Sequence, residues 1–145
     1  MNNIRYRSIF LDANVILDYV LKRKYHFENA KSILVHAAKL SVNLYVCSYT
    51  FAIVYHFLRD KNFSHKNAIN VLENLYQSVK CLPVDDNIIK KAMRSDFRDF
   101  EDAIQYCSAL QIADCEAIIT RNPKDFAASN VFVATPQKFL THLIK

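Results

Sequence analysis

Glycine occurs nowhere in the 145-residue chain, and no other feature of the sequence narrows its possible folds and ligands so far. A phosphate-cradling P-loop and the G-x-G-x-x-G dinucleotide turn both require glycine at fixed places, because only a residue without Cβ lets backbone N–H groups crowd a phosphate. A nucleotide cofactor held in either way is therefore excluded. The rest of the composition is that of an ordinary globular domain, 52% apolar and 23% charged, long enough to bury roughly 70% of its unfolded surface without metal or disulfide support. No repeat, low-complexity tract or Gly/Ser/Pro-rich linker divides it, so residues 1–145 are expected to form one domain.

Cys47, Cys81, Cys107 and Cys115 form no C-x-x-C pair and stand in apolar stretches, the pattern of buried thiols in a reducing compartment rather than of a zinc or redox site. The opening MNNIRYRS carries two Arg with no apolar run behind it, and no segment approaches the ~20 apolar residues of a membrane span. A cytoplasmic protein without membrane attachment is expected. Nineteen Lys and Arg against fourteen Asp and Glu give a formal charge of +5, a mild bias toward polyanions.

Short apolar runs alternate with helical patterns. Strands are expected at Ser8–Leu11, Asn43–Cys47, Val79–Val84, Ala117–Thr120 and Val131–Ala134. Helices are expected at Val15–Leu21, Phe27–Leu40, Tyr49–Leu58 with Ser48 as N-cap, a stretch capped by Ser64, Asn87–Arg94 after Asp85-Asp86, Asp99–Leu110, and Gln137–Ile144 behind Thr135-Pro136. Near-continuous apolar strands separated by helices imply a parallel sheet covered on both faces, an α/β fold of three α/β/α layers. In such a sheet ligands gather where strands end and helices begin.

Three oxygen-rich places fall at that edge. Asp12 follows the first strand directly; it is either a helix N-cap or a ligand. Asp99 and Asp102 share one face at a helix start, as a capping box or as a pair of ligands, with Asp96 and Glu101 adding charge that a cation would relieve. Thr120 to Asp125 offers hydroxyl, amide and carboxylate oxygens, either as turn chemistry or as ligands. Oxygen-only donors of this kind suit Mg²⁺ or Mn²⁺, which take one or two carboxylates and keep several waters. Activation of water against a phosphodiester is the matching chemistry, inside a protein whose outer Lys and Arg attract the strand.

FLDANVILDYV at Phe10–Val20, DFRDFEDAIQY at Asp96–Tyr106 and IITRNPKDF at Ile118–Phe126 resemble the three signature regions of PIN domains, the nuclease fold of VapC-type toxins. The resemblance runs from Ile9 to the closing VATPQKFL. It implies that Asp12 is the first family acid with Asn14 two residues on, that Asp102 is the third with Asp99 beside it, and that Ser48 is the hydroxyl at a strand end. The second family acid should fall near Ile53, where there is none, and Asn122 stands at a fourth position that is often Asp, with Asp125 three residues on. The stretch Asp96–Asp102 is similar to a PIN subgroup carrying D-F-x-D-x-E-D.

A metal-dependent endoribonuclease acting on single-stranded RNA, the toxin of a type II toxin–antitoxin pair, is what the resemblance implies. Asp12, Asp99 and Asp102 would be its catalytic and metal-binding acids, supported by Asn14, Ser48, Glu101, Thr120, Asn122 and Asp125. An antitoxin protein and a second copy of the chain would be its partners. The competing reading is a PIN module that binds RNA or protein without cutting. A phosphoaspartate receiver would need paired acids after its first strand, and a haloacid-dehalogenase-type phosphatase an Asp-x-Asp where this chain has Asp12-Ala13-Asn14. The five His lack metal spacing, Lys22-Arg23-Lys24 and Lys90-Lys91 read as solvated faces, and Tyr6, Tyr19, Tyr25, Tyr45 and Tyr49 read as core or edge aromatics.

Overall fold

The computed structural model describes residues 6–144; Met1 to Arg5, which open the Arg-bearing N-terminal stretch, and Lys145 at the end of the expected domain lie outside it. Five strands, β1 (Ser8–Leu11), β2 (Asn43–Cys47), β3 (Lys80–Leu82), β4 (Ala117–Ile119) and β5 (Val133–Ala134), form one parallel sheet in the order β3-β2-β1-β4-β5. Among the described residues seven helices surround the strands: α1 (Ala13–Val20), α2 (Phe27–Leu40), α3 (Ser48–Asp60), α4 (His65–Ser78), α5 (Asp86–Met93), α6 (Phe100–Ala109) and α7 (Pro136–Ile144). The expected three-layer α/β fold is the one found.

The sheet is apolar on both faces because side chains alternate along each strand. In register, Tyr45, Phe10, Ile118 and Val133 form a row across β2, β1, β4 and β5, packed with Ile88, Ala92, Ala103 and Phe126 from the side of α5 and α6. The alternate residues Ile9, Leu11, Leu44, Val46, Ala117 and Ile119 face the other layer, where Ile16, Ile33, Val54, Leu75 and Phe139 come from α1, α2, α3, α4 and α7. The chain lays β1, β2 and β3 outward in one direction, then returns to place β4 on the far side of β1. This reversal puts the later helices α5 and α6 on the opposite face and opens a crevice between the carboxyl ends of β1 and β4.

Strand ends depart from expectation more than helix ends do. β3 stops at Leu82 because Pro83 cannot donate to the ladder, so it covers half of the expected Val79–Val84. β4 ends at Ile119, one residue before Thr120, and β5 keeps only Val133–Ala134. Ser64, Asp85 and Asp99 cap their helices by accepting from the backbone N–H of Asn67, Ile88 and Asp102. Thr135 caps α7 through Lys138 N–H. Ser48 is not a cap: Cys47 holds that position and Ser48 opens α3, its Oγ accepting from Val84 N–H at 3.0 Å. Cys47 and Cys107 are buried as expected, but Cys81 is exposed because it lies on the short edge strand β3.

A chain without glycine must still turn, and among the described residues four others take positive φ: Lys22, Tyr25, Ser41 and Asn62. Ser41 ends α2 in the left-handed region at φ 56°, allowing Val42 N–H to reach back to Ala37 O. A Cβ in that region costs roughly 1–2 kcal/mol. Ser41→Gly is therefore expected to stabilise the protein by about 0.5–1 kcal/mol, after the larger unfolded-state entropy of glycine is deducted. Urea denaturation measures this, and a midpoint that falls would contradict it.

Candidate active site

Asp12 follows β1 at the crevice and is buried. Its amide continues the sheet ladder to Ile119 O, and its carbonyl accepts from Val15 N–H in the first turn of α1, so the backbone on both sides of the side chain is fixed. The carboxylate makes no cap bond to α1. Instead Thr120 Oγ1 donates to Oδ2 at 2.7 Å and Gln105 Nε2 donates to Oδ1 at 2.8 Å. The Gln105 amide is itself oriented, because its Oε1 accepts from Ala13 N–H at 2.8 Å. β4 and α6 thus each supply one donor, and every carboxylate oxygen retains a lone pair for a further partner. Burial pushes the Asp12 carboxyl up from its ordinary pKa, while Thr120, Gln105 and the nearby backbone N–H groups of Asn14 and Ala13 pull it back.

Gln105 is not among the residues expected at the site. A signal for it is present in the sequence: α6 is buried without interruption from Ala103 to Ala109, and a carboxamide within such a stretch must find partners. Asp102 lies one turn earlier on the same helix face as Gln105, which directs it toward the Asp12 side of the crevice. Burial, reinforced by the charges of Asp99, Asp12, Asp125 and Glu101, pushes the Asp102 carboxyl up to about 7. The positive end of the α6 dipole makes such a cluster more tolerable.

The other expected residues divide. Thr120 is buried against Asp12 and also accepts from Asn122 N–H at 3.1 Å. Asp99 is the α6 N-cap, with Oδ1 on Asp102 N–H, so its other oxygen is the one left for a ligand. Glu101 accepts from Tyr49 Oη at 3.2 Å, tying the first turn of α3 to the cluster. Asp125 stands in a 3₁₀ turn, Pro123–Phe126, so the turn chemistry expected of that stretch is realised around it. Asn14 contributes its backbone, and Ser48 is engaged with Val84 rather than with an acid. Ile53 is partly buried against the hydrophobic core, so α3 brings no acid to the crevice.

Beside the crevice, Asp18 is 1% exposed and faces two guanidinium groups, with Arg121 Nε at 2.8 Å and Arg23 Nη1 at 3.5 Å. Arg121 Nε approaches Asp18 off the N–H axis, a close ion pair rather than a directed hydrogen bond. Nothing in the sequence pattern announces this pair; the Lys22-Arg23-Lys24 run keeps Lys22 and Lys24 solvated but turns Arg23 inward. Of the tyrosines, Tyr6 is buried, whereas Tyr25 is 84% exposed and Tyr19 and Tyr49 are exposed by more than a third. A groove of about 770 Å³ between α1, α2 and α4, lined by residues such as Tyr19, Leu34 and Val71, contains none of the acids.

Among the described residues no three His, Cys, Asp or Glu side chains gather closely enough to cage an ion. Mg²⁺ and Mn²⁺ do not need a cage, since they hold one or two carboxylates and complete their shells with water or substrate oxygens. Asp12 with open lone pairs, and Asp102 crowded by like charge, fit one such cation.

The raised Asp102 pKa has a definite sign. The folded value exceeds the unfolded one, so the stability this group contributes is fully present below the unfolded value near ~4 and is lost as pH rises through about 7. Metal-free protein is expected to lose denaturation midpoint across that interval, and Asp102→Asn to lose less. Parallel curves for the two proteins would show that the carboxyl is not perturbed.

The sequence profile of the PIN domain family matches residues 8–124. No curated protein sequence matches the chain. Solved structures do. VapBC2 of Rickettsia felis, bound to a promoter DNA fragment, aligns over 88% of this chain and 98% of its own at 13% identity and TM-score 0.67. A toxin–antitoxin complex of Klebsiella pneumoniae aligns over 88% and 97% at 21% identity and TM-score 0.62. VapC20 of Mycobacterium tuberculosis, a toxin that cleaves the sarcin–ricin loop, aligns over 76% and 86% at 16% identity and TM-score 0.58. At these identities the likeness is one of fold.

Proposed function

The chain belongs to the PIN domain family, and from that premise we propose that it is a Mg²⁺- or Mn²⁺-dependent endoribonuclease of single-stranded RNA, the toxin of a type II toxin–antitoxin pair, acting as one domain in the cytoplasm. The observation that carries the reading is the meeting of Asp12 and Asp102 at the sheet reversal, one acid held by donors from β4 and α6 and the other pushed up to about 7 by burial and, after it, by the charges of Asp99, Asp12, Asp125 and Glu101. Structural metal-free roles do not require that crowding. A bound divalent cation favours ionised Asp102 and supplies the Lewis acidity that activates water and offsets charge on the phosphoryl oxygens.

The protein's own residues do the positioning. Thr120 and Gln105 aim Asp12 and offset part of the burial that pushes its carboxyl up, and Asp102 supplies the second carboxylate. Asp99 offers its uncapped oxygen, while Glu101, Asp125 and the Asn122 amide add oxygens at the rim; Asn14 and Ser48 support the adjoining backbone. The net charge of +5 draws RNA toward a pocket that is itself acidic. An antitoxin partner is part of the proposal, supported by neighbours that are toxin–antitoxin complexes. A homodimer is too, supported by exposed Tyr76 beside Phe51, Ile69 and Leu72, an apolar hollow on α3 and α4. Light scattering at high micromolar concentration is expected to give twice the 16.8 kDa chain mass; the mass of a monomer would remove the dimer from the proposal.

One feature favours a second reading, a PIN module that binds without cutting: α3 contributes no acid. Titration and cleavage separate the two. Asp12→Asn is expected to weaken Mn²⁺ binding by calorimetry more than ~10-fold, since the protein offers few ligands. Asp102→Asn is expected to slow cleavage of a partly unpaired RNA at least ~100-fold, about 2.7 kcal/mol of transition-state stabilisation, with RNA affinity nearly kept. Equal residual cleavage by wild type and Asp102→Asn, or none from either in Mg²⁺ and Mn²⁺, would favour the binding module.

A further inference from the structure

We propose that the polar cavity beside Asn122 is a base-recognition subsite, taking one unpaired RNA nucleotide next to the scissile phosphate; this rests on the ribonuclease reading and extends it. The cavity measures about 320 Å³ and draws its walls from the start of α2, the turn after β4 and the start of α7. It touches the acidic crevice through a short chain of bonds. Asn122 N–H donates to Thr120 Oγ1 at 3.1 Å, and that hydroxyl donates to Asp12 Oδ2 at 2.7 Å. A strand whose phosphate lies at Asp12 therefore has its neighbouring nucleotide within reach of the cavity.

Size and chemistry both select a nucleobase. The volume sits at the low end of the ~300–1,000 Å³ of ligand pockets, room for one small planar group. Asn29, Asn122 and Gln137 line it together with His26, Arg121 and Asp18. Three carboxamides bring both donors and acceptors to one lining, which is the pairing set that reads base edges. Unpaired bases expose those edges, whereas a duplex hides them. Among the described residues Pro136 is the one apolar residue of the lining, so the hydrophobic anchor of a protein partner would find little to pack against.

Charge and rigidity agree with that occupant. Asp18 and Arg121 both line the cavity as an ion pair, and Arg23, outside the lining, pairs with Asp18 as a second cation, so the trio keeps one positive charge in excess where the adjoining crevice is negative. A phosphate flanking the bound base is drawn to it. The turn that carries His26 is preformed: Lys22 and Tyr25 hold positive φ without being glycine, His26 N–H donates to Arg23 O, and Ala30 N–H donates to His26 O. Strain of that kind persists only where the surroundings over-determine it, and it is a feature of ligand-binding loops.

The test uses the full chain with metal chelated, so that binding is read without cleavage. Short fluorescent oligoadenylate, oligocytidylate and oligouridylate are titrated by anisotropy. Wild type is expected to favour one of them by at least ~10-fold, and Asn29→Ala/Gln137→Ala to reduce that preference below ~3-fold, the scale of a lost base-edge pairing. Mn²⁺ affinity by calorimetry should be unchanged in the variant, which shows that the acidic crevice is intact. Gln137 is exposed, so Gln137→Ala alone serves if the double variant does not fold, with a partial loss expected. Wild type binding all three equally, or a variant that keeps the full preference, would overturn the subsite while leaving the nuclease reading in place. Absence of both RNA binding and Mn²⁺-dependent cleavage in wild type would overturn the nuclease reading, and the subsite with it.

Discussion

The structure turns on one buried carboxylate. Asp12 sits where the order of strands reverses, and its two oxygens are claimed by Thr120 from the end of β4 and by Gln105 from the middle of α6. An ionised group at this depth is costly unless hydrogen-bonded, and the donors come from parts of the chain more than ninety residues away. The fold must therefore be complete before the acid is acceptable. That coupling places the remaining acids as well, since the helix that supplies Gln105 carries Asp102 one turn nearer its positive end.

Two apolar layers make this arrangement rigid. Phe10 and Ile118 face the α5–α6 layer, and the alternate residues Ile9, Leu11 and Ile119 face the other, so β1 and β4 cannot shift register without exposing a core side chain. The crevice edges are in this way fixed by packing rather than by loops. Where loops do contribute, they turn without glycine, and Lys22, Tyr25, Ser41 and Asn62 accept left-handed backbone. Ser41 does so at a helix end, where glycine is the usual solution. The turn holding Lys22 and Tyr25 stands beside the polar cavity, where a fixed shape has a use.

Charge is separated over short distances at the same edge. The crevice collects Asp12, Asp99, Glu101, Asp102 and Asp125, and burial reinforced by their mutual repulsion raises Asp102, while the adjoining wall pairs Arg23 and Arg121 with Asp18. On the proposed function, an acidic pocket beside paired guanidinium groups suits a polyanion whose reacting phosphate must meet a cation while its neighbours meet the protein.

Periodicity and punctuation in the sequence settled the element order. Phe27–Leu40 and Asn43–Cys47 read with their observed bounds, because each has a single apolar pattern and a clear boundary. The absence of glycine is enough to exclude phosphate loops, and Asp12 after a strand end and Asp102 at a helix start are legible as neighbours of the sheet edge. The capping alternative is legible too, and for Asp99 it is realised alongside its place in the cluster. Other features depend on pairing across the fold. Ser48 has the local look of a cap, but the chain brings Val84 N–H to its hydroxyl from thirty-six residues on. Gln105, Arg121 and Asp18 have no local signature that tells which distant group will meet them. Hydrophobic period and turn chemistry are local properties that a sequence displays, whereas the partner of a buried polar side chain is chosen by sheet order, and only the tertiary structure decides it.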